Sequence, residues 1–159
     1  MRWVALASAA LAAAQLPDLK IPREAPEQPV PYSHKLHLSK GLKCAQCHPN
    51  PEPGDFMTLP KAPVCMGCHT TIRKDAPAIQ KLAAMERVRW VPVYRVPDWV
   101  SFNHKKHLAA AGVTCESCHG DVAEMEAMRR VKDISMAACM ECHRATKASN
   151  ACLLCHDQR

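Results

Sequence analysis

A chain of 159 residues has room for one domain or two very small ones. Much of its 48% hydrophobic content is Ala, Cys and Met, and only 3 Trp, 2 Tyr and 2 Phe remain to build an ordinary core. A formal charge of +6 invites a nucleic-acid partner, but no basic stripe is interleaved with stacking aromatics, so that class is set aside.

The N-terminus places Arg2 before an apolar run from Val4 to Ala14 that ends in Ala12, Ala13 and Ala14. This pattern predicts a signal peptide over residues 1–14, cut after Ala14. The run falls well short of the ~20 residues that cross a bilayer, so an uncleaved anchor is the lesser alternative. Export would place the protein in the periplasm or elsewhere in the cell envelope. Residues 15–31 hold Pro17, Pro22, Pro26, Pro29 and Pro31, which forbid a regular helix. A loose Pro-rich lead-in is expected, in preference to a docked strand.

An internal repeat follows. YSHKLHLSKGLKCAQCH (32–48) aligns with FNHKKHLAAAGVTCESCH (102–119), with a one-residue difference in length. Each copy is followed by a further CxxCH, and the second by one more. Two tandem modules are expected: one over 32–75 with two such motifs and one over 101–159 with three. Between them, 76–100 reads as a linker. Ile79, Leu82, Ala83 and Met85 predict a short amphipathic helix within Ala76–Val88, and WVPVYRVPDWV predicts an extended crossing segment. Ala123–Arg130 (AEMEAMRR) consists of good helix formers and predicts another short helix. The expected fold is mostly irregular with short α-helices.

The ten cysteines share one arrangement, which points to covalent haem. All ten fall in five CxxCH motifs: Cys44, Cys47 and His48; Cys65, Cys68 and His69; Cys115, Cys118 and His119; Cys139, Cys142 and His143; Cys152, Cys155 and His156. Two thiols on one tight turn can add to the two vinyl groups of a haem, and the following His lies under the iron. Zinc sites also use CxxC, but five pairs suit a two-pair cage poorly, and zinc does not require His after every second Cys. Disulfides would leave the same His unexplained. Five covalent haem c groups would leave about 29 residues for each, so the porphyrins must serve as the core. Their propionates would carry the holoprotein from near neutral when ferric to net acidic when reduced.

The four remaining histidines are His34, His37, His104 and His107, two His-x-x-His pairs upstream of a haem motif. Exposed loop histidine is the plain reading of any one of them. Four in matched pairs predict sixth ligands on the opposite iron faces, which close those irons to substrates. One iron is then short of a ligand. Met57, Met66, Met85, Met125, Met128, Met136 and Met140 are candidates, each more often a core filler, and Met136 in KDISMAACMECH is favoured.

The aromatic-x-His-x-x-His segment followed by CxxCH resembles the class III multihaem cytochromes c. That resemblance implies His34 on the haem of Cys44 and Cys47, His104 on that of Cys115 and Cys118, and His37 and His107 reaching to other haems. VCMGCH, VPVYRVPDWVSFNHKKH, GVTCESCHGDV and SMAACMECHR also resemble the pentahaem cytochrome subunit of alternative complex III, a membrane quinol-oxidising assembly. The implied function is electron transfer between a quinol-linked or periplasmic donor and a downstream acceptor. The implied partners are other redox proteins, with no nucleic acid or small-molecule substrate. Two alternatives are a multihaem reductase with one open haem iron and a subunit of an extracellular cytochrome polymer.

Overall fold

The computed structural model describes residues 24–156. The expected signal segment 1–14, its cleavage point and the lead-in before residue 24 lie outside the described residues. Eight short helices occur in the order α1 (His34–Ser39), α2 (Cys44–Cys47), α3 (Ala62–His69), α4 (Pro77–Ala83), α5 (His104–Leu108), α6 (Cys115–His119), α7 (Met136–Ala145) and α8 (Cys152–Cys155). A 3-10 turn spans Val122–Glu124, and there is no strand among the described residues. The chain is mostly irregular, as its composition predicts.

Helices this short are marginal in water and need closure at their ends. Ser33 Oγ accepts from Leu36 N at 3.0 Å, and Asn103 Oδ1 accepts from Lys106 N at 2.8 Å, so equivalent caps start α1 and α5. Ser135 Oγ does the same for α7, accepting from Ala138 N at 3.3 Å. In α2 and α6 the third residue closes the turn: Gln46 Oε1 accepts from Lys43 N and Ser117 Oγ from Thr114 N.

Protein alone makes very little core. Val30, Ala62, Leu82 and Val88 form one buried cluster, with Cys65, Met66, Met85 and Trp90 packed against it. Trp90 Nε1 donates to Pro60 O at 2.7 Å and fixes the rim of that cluster. Meanwhile Leu36, Val64, Ile72, Leu108, Met136, Leu153 and Leu154 stand exposed on or beside the His-x-x-His and CxxCH segments. Exposed apolar side chains gathered there mark surfaces built to be covered.

Two local expectations need correction, and the linker helix is present but shorter than its apolar spacing predicts. Residues 24–31 are not a loose tether: Val30 is 5% exposed within the cluster, and the Gln28 amide exchanges two 3.0 Å bonds with the Val91 backbone. The linker helix ends at Ala83, short of Val88, because the chain turns there to bring Val88 into the same cluster as Leu82. Ala123–Arg130 is not a helix. Met125 leaves the 3-10 turn extended (φ −95, ψ 117), and its carbonyl accepts from Lys35 N at 3.0 Å instead of closing a helical turn. Tertiary docking overrides the propensity of that segment.

The two repeat copies clasp one another. Lys35 N donates to Met125 O, six residues past His119; Lys105 N donates to Gly54 O at 3.2 Å, six residues past His48. The side chains follow suit: Lys35 Nζ pairs with Glu124 at 3.0 Å and Lys105 Nζ pairs with Glu52. Asn103 adds bonds from its amide to Asp55 Oδ1 at 2.7 Å and Pro53 O at 3.1 Å.

Candidate haem-binding sites

Each CxxC occupies one helical turn, in α2, α3, α6, α7 and α8. Residues three apart on a helix share a face, so both thiols of a motif stand on the same side. All ten cysteines are free thiols, so none is committed to a disulfide. Among the described residues no group of three or more His, Cys, Asp or Glu side chains converges to hold a metal ion directly, which leaves the zinc alternative without a cage.

The histidines come in facing pairs. The ring centroids of His34 and His48 are 6.4 Å apart and nearly parallel, at 11°. His37 and His69 are 6.2 Å apart, and His107 and His143 are 6.1 Å apart. An imidazole nitrogen bonds a metal at about 2 Å and lies about 1 Å from its ring centre, so two rings on opposite faces of one metal sit roughly 6 Å apart. His119 lies near both His104 and His48. Burial pushes its basicity down first, and His104 and then His48 add to that. His34 is pushed down to about 4, by burial first and then by His48 and His37.

The outer nitrogens matter as much. Nδ1 of His37 meets Ser33 O at 2.7 Å, that of His48 meets Thr58 O at 2.9 Å, and that of His69 meets Ile72 O at 2.8 Å. Nδ1 of His104 meets Asp55 O at 2.7 Å, that of His107 meets Asn103 O at 2.8 Å, and that of His143 meets Ser149 O at 2.7 Å. A carbonyl can only accept, so each of these nitrogens carries the proton and donates. Nε2 is then left with a free lone pair, the tautomer an iron ligand needs. His34 Nδ1 is buried with no partner.

Aromatic rings brace the histidines. Tyr32 stacks on His37 at 4.4 Å and meets His34 edge-on at 4.8 Å; Phe102 repeats this with His107 at 4.3 Å and His104 at 4.8 Å. Burial, then the Cys47 and Cys65 thiols, push the Tyr32 hydroxyl up to about 12, so it stays neutral. The sequence did not single out Tyr94 and Trp99, yet Tyr94 packs edge-on against His119 at 4.6 Å and Trp99 stacks on His156 at 5.3 Å. Tyr94 Oη also accepts from Val131 N at 3.0 Å. A usable signal was the scarcity of aromatics: four of only seven touch a histidine.

The thiols neighbour one another across motifs. Burial raises Cys65, with Cys47 next; it raises Cys115, with Cys44 next; and it raises Cys118, with Cys142 next. Cys139 is raised by burial, then by Cys118 and Cys155. Met136 opens α7 one turn before Cys139, on the same side of the helix, and is 64% exposed.

These residues fit haem: thiol pairs on single turns, histidines paired across about 6 Å with their outer nitrogens anchored, and apolar surface left bare around them. Comparison with known proteins agrees. Residues 100–157 match the family described as "Cytochrome c7 and related cytochrome c". The chain is also 29% identical, over 161 aligned positions, to the "Menaquinone reductase, multiheme cytochrome c subunit" of Nitratidesulfovibrio vulgaris (strain Hildenborough), covering 82% of this chain and 77% of that protein. Motifs, ligand geometry and relatives together identify the chain as a multihaem cytochrome c.

Proposed function

We propose that the chain is an exported pentahaem electron carrier that works as a subunit of a quinol-linked membrane oxidoreductase. The observation that carries this is the set of histidine pairs with anchored outer nitrogens, because ligands held rigidly on both sides of an iron suit electron transfer and leave no room for substrate. In this reading Cys44/Cys47, Cys65/Cys68, Cys115/Cys118, Cys139/Cys142 and Cys152/Cys155 hold five haems, with His48, His69, His119, His143 and His156 as proximal ligands. His34 faces His48, His37 faces His69, His104 serves His119 and His107 faces His143. Bound haem supplies one-electron exchange between ferric and ferrous iron.

Everything else belongs to the polypeptide. Ser33 and Asn103 start α1 and α5 and also supply, through their carbonyls, the acceptors for His37 and His107. Tyr32 and Phe102 wedge between the two histidines of each pair and fix their separation. Met136 supplies the sixth ligand of the fifth site, supported by its exposed place one turn before Cys139 on α7. The relative's name, a subunit of a menaquinone reductase, supports a quinol-linked partner. Among the described residues no helix is long and apolar enough to cross a membrane.

The test is purification of the tagged holoprotein from its host in mild detergent. Five haems per chain, all low-spin, together with an integral membrane oxidoreductase, is the expected result. A high-spin fraction of one haem in five would instead favour the reductase reading, for which the lack of a fifth distal histidine is the motive. Met136→Ala should convert one haem to high spin and remove the charge-transfer band of sulfur-ligated ferric iron. If both survive, Met136 is not the ligand.

A further inference from the structure

The CxxCH motifs run first to fifth along the chain, but their neighbours in space follow another order. We propose that the five haem sites form a row in the order second, first, third, fourth, fifth. The first and third then meet across an approximate two-fold axis, and the Cys65–His69 and Cys152–His156 sites are the two ends. This rests on the pentahaem reading above and goes beyond it.

Four junctions define the row. Helix α1 joins the second and first sites, because His37 faces His69 while His34, one turn away, faces His48. Helix α5 joins the fourth and third sites in the same manner, through His107 facing His143 and its helix neighbour His104. The first and third sites meet through the reciprocal clasp. Lys35 N to Met125 O and Lys105 N to Gly54 O join equivalent positions of the two copies, so residue i touches j′ as j touches i′, the signature of an isologous contact. On such an axis a residue meets its own equivalent, and Cys44, first cysteine of its motif, is the thiol facing Cys115, first cysteine of the other. Helix α7 leads to the fifth site: His143 Nδ1 donates to Ser149 O and Asn150 Nδ2 donates to Met140 O at 3.4 Å, just ahead of Cys152.

The consequence concerns partners. A donor and an acceptor must reach opposite ends of the row, one near Cys65–His69 and the other near Cys152–His156. The fifth motif has no counterpart in the first half, so it lengthens one arm of an otherwise symmetric row of four.

The order can be read directly. The wild-type holoprotein would be fully reduced, so that six-coordinate low-spin irons are diamagnetic, and proton-proton contacts between haems recorded by NMR, each haem being assigned through the β-protons of its thioether cysteines. Expected contacts join first to second, first to third, third to fourth and fourth to fifth. A contact between second and third, with none between first and third, would overturn the order while leaving the pentahaem reading intact. A haemochrome assay giving a number other than five would remove that reading, and the order with it.

Discussion

The two copies of the repeat build nearly the same device from different residues. Copy one uses Ser33, Tyr32 and Gln46 where copy two uses Asn103, Phe102 and Ser117, yet cap, brace and turn closure recur. The clasp is where they part. Lys35 and Lys105 make equivalent bonds, but one acceptor is Gly54, buried with φ +96, and the other is Met125, 8% exposed with ordinary extended backbone. What is held constant is the placement of the backbone carbonyl. The side chain carrying it is free to differ.

The sharpest way to break this equivalence is at position 54. A Cβ there would lie 2.5 Å from Lys105 Cβ, and the positive φ adds its own strain. Gly54→Ala should therefore cost about 3 kcal/mol, the left-handed penalty plus overpacking against α5. Thermal unfolding of the holoprotein followed in the haem absorption would measure it. A loss below about 1 kcal/mol would mean the clasp yields easily and does not hold the two copies together.

The caps come next. Ser33→Ala removes only the bond to Leu36 N, so about 1 kcal/mol is expected. Asn103→Ala removes the cap and also the bonds to Asp55 and Pro53, so about 2 kcal/mol is expected. Equal losses at the two positions would show that the Asn103 links across the clasp contribute nothing.

How much of this was legible follows from how local each feature is. Covalent attachment demands cysteines and a histidine in five consecutive residues, so Cys44–His48 and its four counterparts announce themselves. His34/His37 and His104/His107 are legible as pairs because the repeat sets them side by side in matched positions. The clasp is not, since it joins Lys35 to Met125 and Lys105 to Gly54 across long stretches of chain, and no local pattern marks an acceptor carbonyl. The same docking defeats the helix expected at Ala123–Arg130. Val30 was missed for a similar reason: five prolines nearby describe a backbone without helix, and say nothing about one side chain that finds the Leu82 cluster.

The second and fourth sites differ from the first and third in how their outer ring nitrogens are held. In the His37–His69 and His107–His143 pairs both outer nitrogens donate to carbonyls. In the first site His48 donates and His34 does not; in the third, His104 donates and His119 packs on Tyr94. Each donated bond makes the imidazole a stronger base toward iron and favours the ferric state. The second and fourth haems should therefore sit lower in potential than the first and third, by on the order of 60 mV, about 1.4 kcal/mol for one electron. Stepwise redox titration with NMR assignment would test it, and the reverse ordering would show that burial outweighs the ligand bonds.

The smallest effect should be the most symmetric. Gly41 and Gly112 end the two His-x-x-His segments at φ +84 and +77, and a Cβ at either would meet nothing within 4 Å. Only backbone strain opposes a side chain there, so Gly41→Ala and Gly112→Ala should each cost about 1 kcal/mol and agree closely. Both positions lie in the loop between the His-x-x-His segment and the CxxCH motif, so their equality is a direct measure of how alike the two copies are in solution. A gap of more than about 1 kcal/mol would mean that one loop bears load from elsewhere in the molecule, and the fifth CxxCH motif, which follows the second copy alone, would be the first place to look.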